Sequence, residues 1–203
     1  MGVSEQLLFK AIASVENMSV LDVQHRLMGN RVPTLVSYAE LSRGDGNNSI
    51  SNPFPFALCY ALDENLESVS VSTLELLLGL VRDWQLEWKW DGIRAQLVYR
   101  QGQGWLWSRG EELINDSFPE LQRWLTLFTE PMVLDGELLV WQGHRPGTFQ
   151  EMQRRLGRKR VGKKLLEDCP VVFMVYDLLE LGGEDLRGRC TAERRQLLEG
   201  LLL

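Results

Sequence analysis

Apolar residues recur at helical spacing in the first part of the chain. Within residues 7–15 they fall three and four positions apart, and the same spacing returns within residues 20–28, as on the buried face of a helix. Ser19 stands directly before the second segment and is of a type that often caps a helix N-terminus. Residues 35–41 predict one more short helix. The pattern therefore predicts a helical region over residues 1–44.

A turn-rich segment separates this helical region from the rest of the chain. Residues 44–56 read GDGNNSISNPFPF, and such a density of Gly, Asn, Ser and Pro is typical of turns and loops. We therefore predict a domain boundary here, with residues 1–51 in one region and residues 52–203 in the other.

Beyond this segment the pattern changes to the period-two alternation of β-strands. Residues 84–89 and 95–100 alternate in this way, and QGQG at 101–104 predicts a turn into a third strand at 105–107. The remaining pattern predicts strands at 132–141 and 171–179 and helices at 118–128, 148–156 and 191–203. Asp135-Gly136 is expected to interrupt the first of these later strands.

The composition argues against several classes of protein. The 203 residues are 44% apolar and 25% charged, which is ordinary for a globular chain. No apolar run approaches the roughly 18 residues of a membrane span, and the first ten residues lack the features of a secretory signal. Three scattered cysteines favour a reducing cytoplasm over a disulfide framework. Because the formal net charge is −6, any nucleic-acid site has to be local.

One short segment carries candidate chemistry. Residues 87–94 read EWKWDGIR, with Lys89 at the end of a predicted strand, Gly92 in a turn and Arg94 at the start of the next strand. A lysine and an arginine at the rim of a sheet can meet an anionic ligand. On these residues alone, an ordinary β-turn with solvated Lys and Arg remains the alternative.

This segment resembles motif I of the superfamily of ATP-dependent DNA ligases, RNA ligases and mRNA capping enzymes. Other segments resemble further parts of these enzymes and follow in the same order. They are WSRGE at 107–111 (the "SR" element), VLDGE at 133–137 (motif III), FQEMQRRL at 149–156 (the helix between motifs), FMVYDLL at 173–179 (motif IIIa) and ERRQLL at 193–198 (the helix after it). The resemblance is clear over residues 52–203 and weak over 1–51.

The resemblance implies a fold. It implies an α+β chain in which residues 1–51 are the helical remnant of a DNA-binding domain. Residues 52–203 would then be the N-terminal part of an antiparallel-sheet nucleotidyltransferase (ATP-grasp-like adenylation) domain. The family's motifs IV and V and its OB-fold domain have no counterpart in these residues.

The resemblance also implies roles for individual residues. Lys89 matches the nucleophile that takes AMP from ATP as a lysyl phosphoramidate. Its amine loses its proton with help from neighbouring cations, a metal or desolvation, and Arg94 and Mg²⁺ can supply the positive field. Glu137 matches a glutamate that contacts the ribose or binds Mg²⁺ or Mn²⁺. Tyr176 matches the aromatic that stacks on adenine, and Arg109 matches a residue that engages ribose or phosphate.

Simpler roles remain open for several of these positions. Glu87 sits where the family reads the adenine amino group, although its side chain need not take part. Glu137 can be an exposed strand charge and Arg109 a surface arginine. Phe173 is expected in the core, and Asp91 in a structural or supporting role rather than as a base.

A basic cluster stands out in this acidic chain. Seven of the fourteen residues from 151 to 164 are Arg or Lys. They are Arg154, Arg155, Arg158, Lys159, Arg160, Lys163 and Lys164. Such a segment can neutralise DNA phosphates in a salt-dependent way, while a solvated charged face is the alternative.

Taken together, the residues and the resemblance predict part of an ATP-dependent DNA ligase. The longer enzyme would seal nicks in double-stranded DNA during repair, replication or recombination, with ATP and Mg²⁺ or Mn²⁺ as cofactors. We expect a monomer in a prokaryotic cytoplasm, associated with the nucleoid and not with a membrane, and weak or no adenylation by the 203 residues alone. The alternatives are an RNA ligase or capping-type enzyme and a non-catalytic remnant that binds nucleic acid.

Overall fold

A computed structural model provides the coordinates. It describes residues 4–27, 50–57, 59, 71–110, 112–158 and 160–202. The short helix predicted at residues 35–41 lies outside the described residues. Contacts divide the chain into one unit of residues 1–55 and 91–203 and a second unit of residues 56–90.

Two of the predicted N-terminal helices are present. Helix α1 spans Glu5–Glu16, with the Ser4 hydroxyl accepting from the Leu7 N–H at its start, and helix α2 spans Val20–Leu27. Their apolar faces meet in a small core of Phe9, Ala13 and Val23. The helical spacing at residues 7–15 and 20–27 thus predicted both elements, because each helix has one apolar face to bury.

The 56–90 unit differs from its prediction. Its described residues contain helix α3 (Val71–Leu78) and a 3₁₀ turn (Val81–Asp83), and residues 84–90 then run without regular structure. The strand predicted at residues 84–89 is therefore wrong. A strand needs a neighbour for its backbone hydrogen bonds, and none of the described residues pairs with this segment.

The larger unit is built on one antiparallel sheet. Its strands are β1 (Ile93–Arg100), β2 (Gln103–Ser108), β3 (Met132–Gln142), β4 (Arg145–Pro146), β5 (Val171–Leu181) and β6 (Glu184–Asp185). The order across the sheet is β2-β1-β3-β5-β6, and β4 pairs with β3. The β1–β2 hairpin confirms the predicted turn, with Gln101 at a left-handed φ of 50°. The mixture of helices with an antiparallel sheet confirms the α+β class.

Strand β3 is continuous, but its pairing with β5 is irregular. The register shifts between Val133 and Leu134 and again between Asp135 and Gly136. The interruption predicted at Asp135-Gly136 is therefore a local irregularity of the pairing rather than a break in the strand. Such irregularities redirect nearby side chains, and this one lies beside the candidate site.

The later helices of this unit are α4 (Leu121–Leu125), α5 (Phe149–Gln153), α6 (Lys163–Asp168) and α7 (Thr191–Leu202). Helices α4 and α5 are shorter than the predicted 118–128 and 148–156, whereas α7 confirms the helix predicted from residue 191. Helix α6 was not predicted. Helix α5 begins at a capping box between Thr148 and Glu151, and the chain beyond it turns instead of continuing to residue 156.

Alternate strand residues face two sides of the sheet. Ala95, Leu97, Leu134 and Leu138 belong to the main core, which the helices cover. The intervening residues face the other side, where Phe54, Val98, Trp107, Val133 and Leu179 form a smaller core. Farther along β1 and β3, this second side carries charged residues instead of apolar ones, and these form the candidate site.

Candidate active site

An arginine–aspartate pair anchors the candidate site. Arg94, at the start of β1, donates from Nε to Asp135 Oδ1 at 2.6 Å and from Nη2 to Oδ2 at 3.1 Å. The Asp135 side chain is 3% exposed and that of Arg94 is 28% exposed. Such a bidentate pair fixes the plane of the guanidinium as well as its position, while the Arg94 side chain stays partly exposed.

Burial and ion pairing shift the pKa of Asp135, and likewise that of Arg94, in opposite directions. Burial raises the pKa of Asp135, as does the nearby charge of Asp177, while the hydrogen bonds and charge of Arg94 work against that rise. Burial also disfavours the charge on Arg94, but hydrogen bonds and attraction from Asp135 outweigh it and raise the pKa of Arg94. Arg94 is therefore a permanent cation in this site.

Glu137 lies directly across from Arg94. The two residues are cross-strand partners on β3 and β1. Glu137 Oε1 accepts from the Gly92 N–H at 3.1 Å, and Oε2 accepts from the Tyr176 hydroxyl at 3.3 Å. Burial raises the pKa of Glu137, partly offset by these two hydrogen bonds and by Arg94.

Gly92 allows the turn to approach β3 this closely. A Cβ atom added at Gly92 would lie 2.2 Å from the Leu138 carbonyl oxygen, closer than any side chain tolerates. The N–H of residue 92 can therefore reach Glu137 only because residue 92 is glycine. This is the physical reason for a glycine in the D-G-x-R part of the segment.

Tyr176 completes the group from strand β5. Its ring lies beneath the guanidinium of Arg94, with the Arg94 Cζ atom 4.9 Å from the ring centroid, a cation–π arrangement. Arg94, Glu137 and Tyr176 thus come together on three neighbouring strands. Phe173, on the same strand as Tyr176, packs against the main core.

The other predicted residues are placed less directly. Arg109 follows β2 with an exposed side chain, and its backbone N–H donates to the Arg94 carbonyl at 3.0 Å, so it lies next to Arg94 along the sheet. Lys89 and Glu87 belong to the 56–90 unit and are exposed there. Glu87 accepts a hydrogen bond from Gln85. That Lys89 meets the Arg94–Glu137–Tyr176 group stays a prediction.

The basic cluster is divided between a buried arginine and exposed ones. Arg155 is 0% exposed and donates to the carbonyls of Ser117 and Cys169 and to both oxygens of Glu120. It is therefore not available to DNA, which corrects its inclusion in the predicted DNA-binding set. Arg154 pairs with Asp168 at 3.1 Å.

The remaining members of the basic cluster lie on the surface where the structure describes them. Arg158 donates to the Arg154 carbonyl, and Lys163 and Lys164 form the first turn of α6. The described side chains that are exposed are those of Arg154, Arg158, Arg160, Lys163 and Lys164. Lys159 lies outside the described residues.

Sequence reasoning missed a second arginine–aspartate pair next to the first. Arg194 on α7 donates from Nε and Nη2 to the two carboxylate oxygens of Asp177, each at 2.8 Å. One signal was available in the sequence. A cation in the first turns of a helix opposes the helix dipole, so Arg194 needed a specific acidic partner.

The site can hold a metal ion only with help from a ligand. Among the described residues, no group of three or more His, Cys, Asp or Glu is placed to bind one. Glu137 offers one carboxylate, and Asp135 is committed to Arg94. This fits Mg²⁺, which is often bound through one or two carboxylates together with substrate phosphates, rather than a metal held by protein ligands alone.

Comparison with known proteins identifies the family of the chain. A family model described as "ATP dependent DNA ligase domain" matches residues 67–202. The chain therefore belongs to the ATP-dependent DNA ligase domain family. In the described part of the chain, no helix has the length and apolar character needed to cross a membrane.

Two curated relatives and one solved structure illustrate the similarity. A probable DNA ligase of Koribacter versatilis is 31% identical over 98% of this chain and 34% of its own length. One of Opitutus terrae is 42% identical over 66% of this chain and 13% of its own. The ligase domain of LigD from M. tuberculosis is 32% identical, with a TM-score of 0.48 over 57% of this chain and 36% of that one. The chain thus spans about a third or less of these relatives.

Proposed function

We propose that the chain is the adenylating part of an ATP-dependent DNA ligase that seals nicks in double-stranded DNA. The observation that carries this proposal is the grouping of Arg94, Glu137 and Tyr176 on one sheet face in a chain of this family. The curated relatives quoted above are named probable DNA ligases.

The proposed reaction begins at Lys89. Its amine attacks the α-phosphorus of ATP, a P–N bond forms, and pyrophosphate leaves with the electrons of the broken P–O bond. The AMP then passes to the 5′-phosphate of a nick, and the 3′-hydroxyl displaces it to close the strand. The amine has to lose its proton first, which nearby positive charge and partial desolvation favour.

Arg94 is suited to stabilise charge on the phosphate oxygens. Asp135 engages its Nε and Nη2 atoms, and a guanidinium carries five N–H donors in all. Donors fixed before the reaction stabilise developing charge without reorganisation. Glu137, held by the Gly92 N–H and the Tyr176 hydroxyl, can accept from a ribose hydroxyl or bind Mg²⁺ or Mn²⁺ together with the nucleotide phosphates.

Adenine and DNA would bind at separate places. Tyr176 would stack on adenine, Glu87 would lie near its amino group, and Arg109 would reach ribose or phosphate. The exposed arginines and lysines of residues 154–164 would contact DNA phosphates.

We further propose that residues 1–51 are the remnant of a DNA-binding domain and 52–203 part of the adenylation domain. The protein would act as a monomer in the cytoplasm during repair, replication or recombination.

Transfer of radiolabel from ATP tests this proposal. The 203-residue chain, and any longer product of the same gene, is incubated with α-labelled ATP and Mg²⁺. Lys89→Ala should abolish the protein-bound label, which acid releases and alkali does not, whereas Lys10→Ala, an exposed lysine on α1, should retain it. Label that persists in Lys89→Ala would contradict the assignment. Nicked DNA, nicked RNA and GTP in parallel reactions separate a DNA ligase from an RNA ligase or capping-type enzyme.

A second candidate function is non-catalytic binding of nucleic acid. The exposed cations of the basic cluster favour it, because phosphate contacts of this kind need no catalytic site. Binding of the chain to nicked duplex that weakens steeply with salt, and that neither ATP nor Lys89→Ala changes, would support this alternative over the ligase.

A further inference from the structure

The pair formed by Arg194 and Asp177 adjoins the site without belonging to it. Its side chains are 14% and 24% exposed, and two hydrogen bonds of 2.8 Å join them. This shielding distinguishes the pair from ordinary surface ion pairs, which contribute little. Its place next to the site raises the question of what it does for Arg94.

Four charged groups form a row across the sheet. Asp135 and Asp177 are cross-strand partners on β3 and β5, and the nearby charge of Asp177 raises the pKa of Asp135. Arg94 holds the first carboxylate and Arg194 the second. Each aspartate is thus compensated by its own arginine, and neither pair is independent of the other.

We propose that Arg194 is a positioning residue for Arg94, acting through Asp177 and Asp135 and not by touching the nucleotide. When Arg194 neutralises Asp177, both oxygens of Asp135 stay committed to the guanidinium of Arg94, which keeps that group over the Tyr176 ring. Without Arg194, the bare charge of Asp177 competes for Arg94 and pulls it from its place. The consequence for catalysis rests on the proposed function, while the position of Arg94 does not.

Arg194 also ties helix α7 to this row. Its Nη1 atom donates to the Arg189 carbonyl at 2.6 Å, just before the helix begins. The start of α7 is therefore held at the end of the row farthest from Arg94. Movement of the start of α7 would therefore change the position of Arg94 through contacts with Asp177 and Asp135, and not through the apolar core.

The test compares four variants in two measurements. The variants are Arg194→Met, Arg195→Met, Asp177→Asn and the double variant Asp177→Asn/Arg194→Met. The first measurement is the solvent exchange of the Arg94 Nε–H by ¹⁵N NMR, without nucleotide. The second is the affinity for AMP by calorimetry. Arg195 is the matched control, because it is the next residue on α7, is exposed and pairs with Glu199 at 2.7 Å.

We expect Arg194→Met to speed exchange of the Arg94 Nε–H and weaken AMP binding, each by roughly tenfold, as for members of one ion-pair network. Arg195→Met should change neither. The double variant should recover most of the loss, because the uncompensated carboxylate is gone. A merely structural clamp would instead leave the double variant as defective as Arg194→Met. Should Arg194→Met fail to fold, Arg194→Lys, which keeps the charge without the two-armed geometry, should give an intermediate effect.

Two outcomes would overturn the inference. One is an Arg94 Nε–H signal that does not change in Arg194→Met or Arg194→Lys. The other is a double variant no better than the single one. A wild-type chain that shows the expected NMR behaviour but binds no AMP, while a longer product of the same gene takes no label, would count against the proposed function and leave the positioning of Arg94 intact.

Discussion

Arg94 and Arg155 have the same kinds of partner in two different settings. Each guanidinium is bound by a carboxylate, Asp135 for one and Glu120 for the other. Each also lies over an aromatic ring, with Cζ 4.9 Å from the Tyr176 centroid and 5.3 Å from that of Phe118. The difference is exposure, since Arg94 is 28% exposed and Arg155 is 0% exposed.

This difference in exposure separates an arginine that can meet a ligand from one that only supports the fold. All three nitrogens of Arg155 donate to protein oxygens, so Arg155 links the segment at Ser117 to that at Cys169. Asp135 accepts from Nε and Nη2 of Arg94, whose side chain stays partly exposed. The same side chain, placed on the same kind of partners, therefore supports the fold in one region and can meet a ligand in the other.

Removing Arg155 should have the largest effect on stability. Arg155→Met leaves Glu120 and the carbonyls of Ser117 and Cys169 without their hydrogen-bond donor. Breaking such a buried pair lowers the free energy of unfolding by about 3–5 kcal/mol. Arg154→Met, one residue earlier, breaks an ion pair whose side chains are 48% and 39% exposed and should cost about 0–1 kcal/mol. Urea unfolding of both variants measures the difference. Equal costs, with weaker DNA binding in Arg155→Met, would return Arg155 to the DNA-facing set.

Replacing Arg94 should weaken ligand binding more than it lowers the stability of the fold. Arg94→Lys keeps the positive charge but loses the two-armed contact with Asp135, which costs about 1–2 kcal/mol of the free energy of unfolding. AMP affinity should fall by about tenfold or more, because a lysine cannot hold the same donors in one plane. Calorimetry with AMP and urea unfolding give the two values. Unchanged AMP affinity would show that Arg94 resembles Arg155 and only supports the fold.

The smallest expected effect is on the acid side of the stability profile. Hydrogen bonds from the Thr148 N–H and hydroxyl lower the pKa of Glu151 at the start of α5, the helix that leads to Arg155. The unfolded chain then binds more protons at low pH. This contribution is complete above the ordinary glutamate pKa of about 4.3 and is lost as the pH falls through the lower folded value.

Glu151→Gln tests this contribution directly. The substitution removes the titrating group while keeping an oxygen that can accept from Thr148. The loss of stability below the ordinary glutamate pKa should therefore be shallower in the variant, as measured by urea unfolding at a series of pH values. Identical acid profiles would mean that Glu151 does not distinguish the folded from the unfolded chain.

Local pattern predicted those elements whose partners lie close in the sequence. Helices α1 and α2 and the β1–β2 hairpin are of this kind, because each follows from spacing and a short turn. The strand predicted at residues 84–89 shows the limit of this reasoning. Alternation shows that a segment could be a strand, but pairing requires a neighbouring strand, which the segment itself does not encode.

The candidate site shows the same division. The order of the motifs identified the family and indicated Arg94, Glu137 and Tyr176, because each lies within a short characteristic segment. Asp135 and its partner Asp177 lie 42 positions apart, and Asp177 and Arg194 lie 17 apart, and the sequence does not show which of these residues meet. The predicted DNA contact at Arg155 is wrong because composition counts charges without showing which ones are buried.

The sequence by itself determined the helical pair, the hairpin, the family and the residue types of the site, since all of these depend on short-range spacing. The tertiary structure decided which arginine is partly exposed, which is buried with all its nitrogens hydrogen-bonded, and which aspartates become neighbours. The physical reason is that burial and ion pairing depend on distances between residues far apart in the chain. Strand pairing and helix packing set those distances, and the order of residues within any one segment does not.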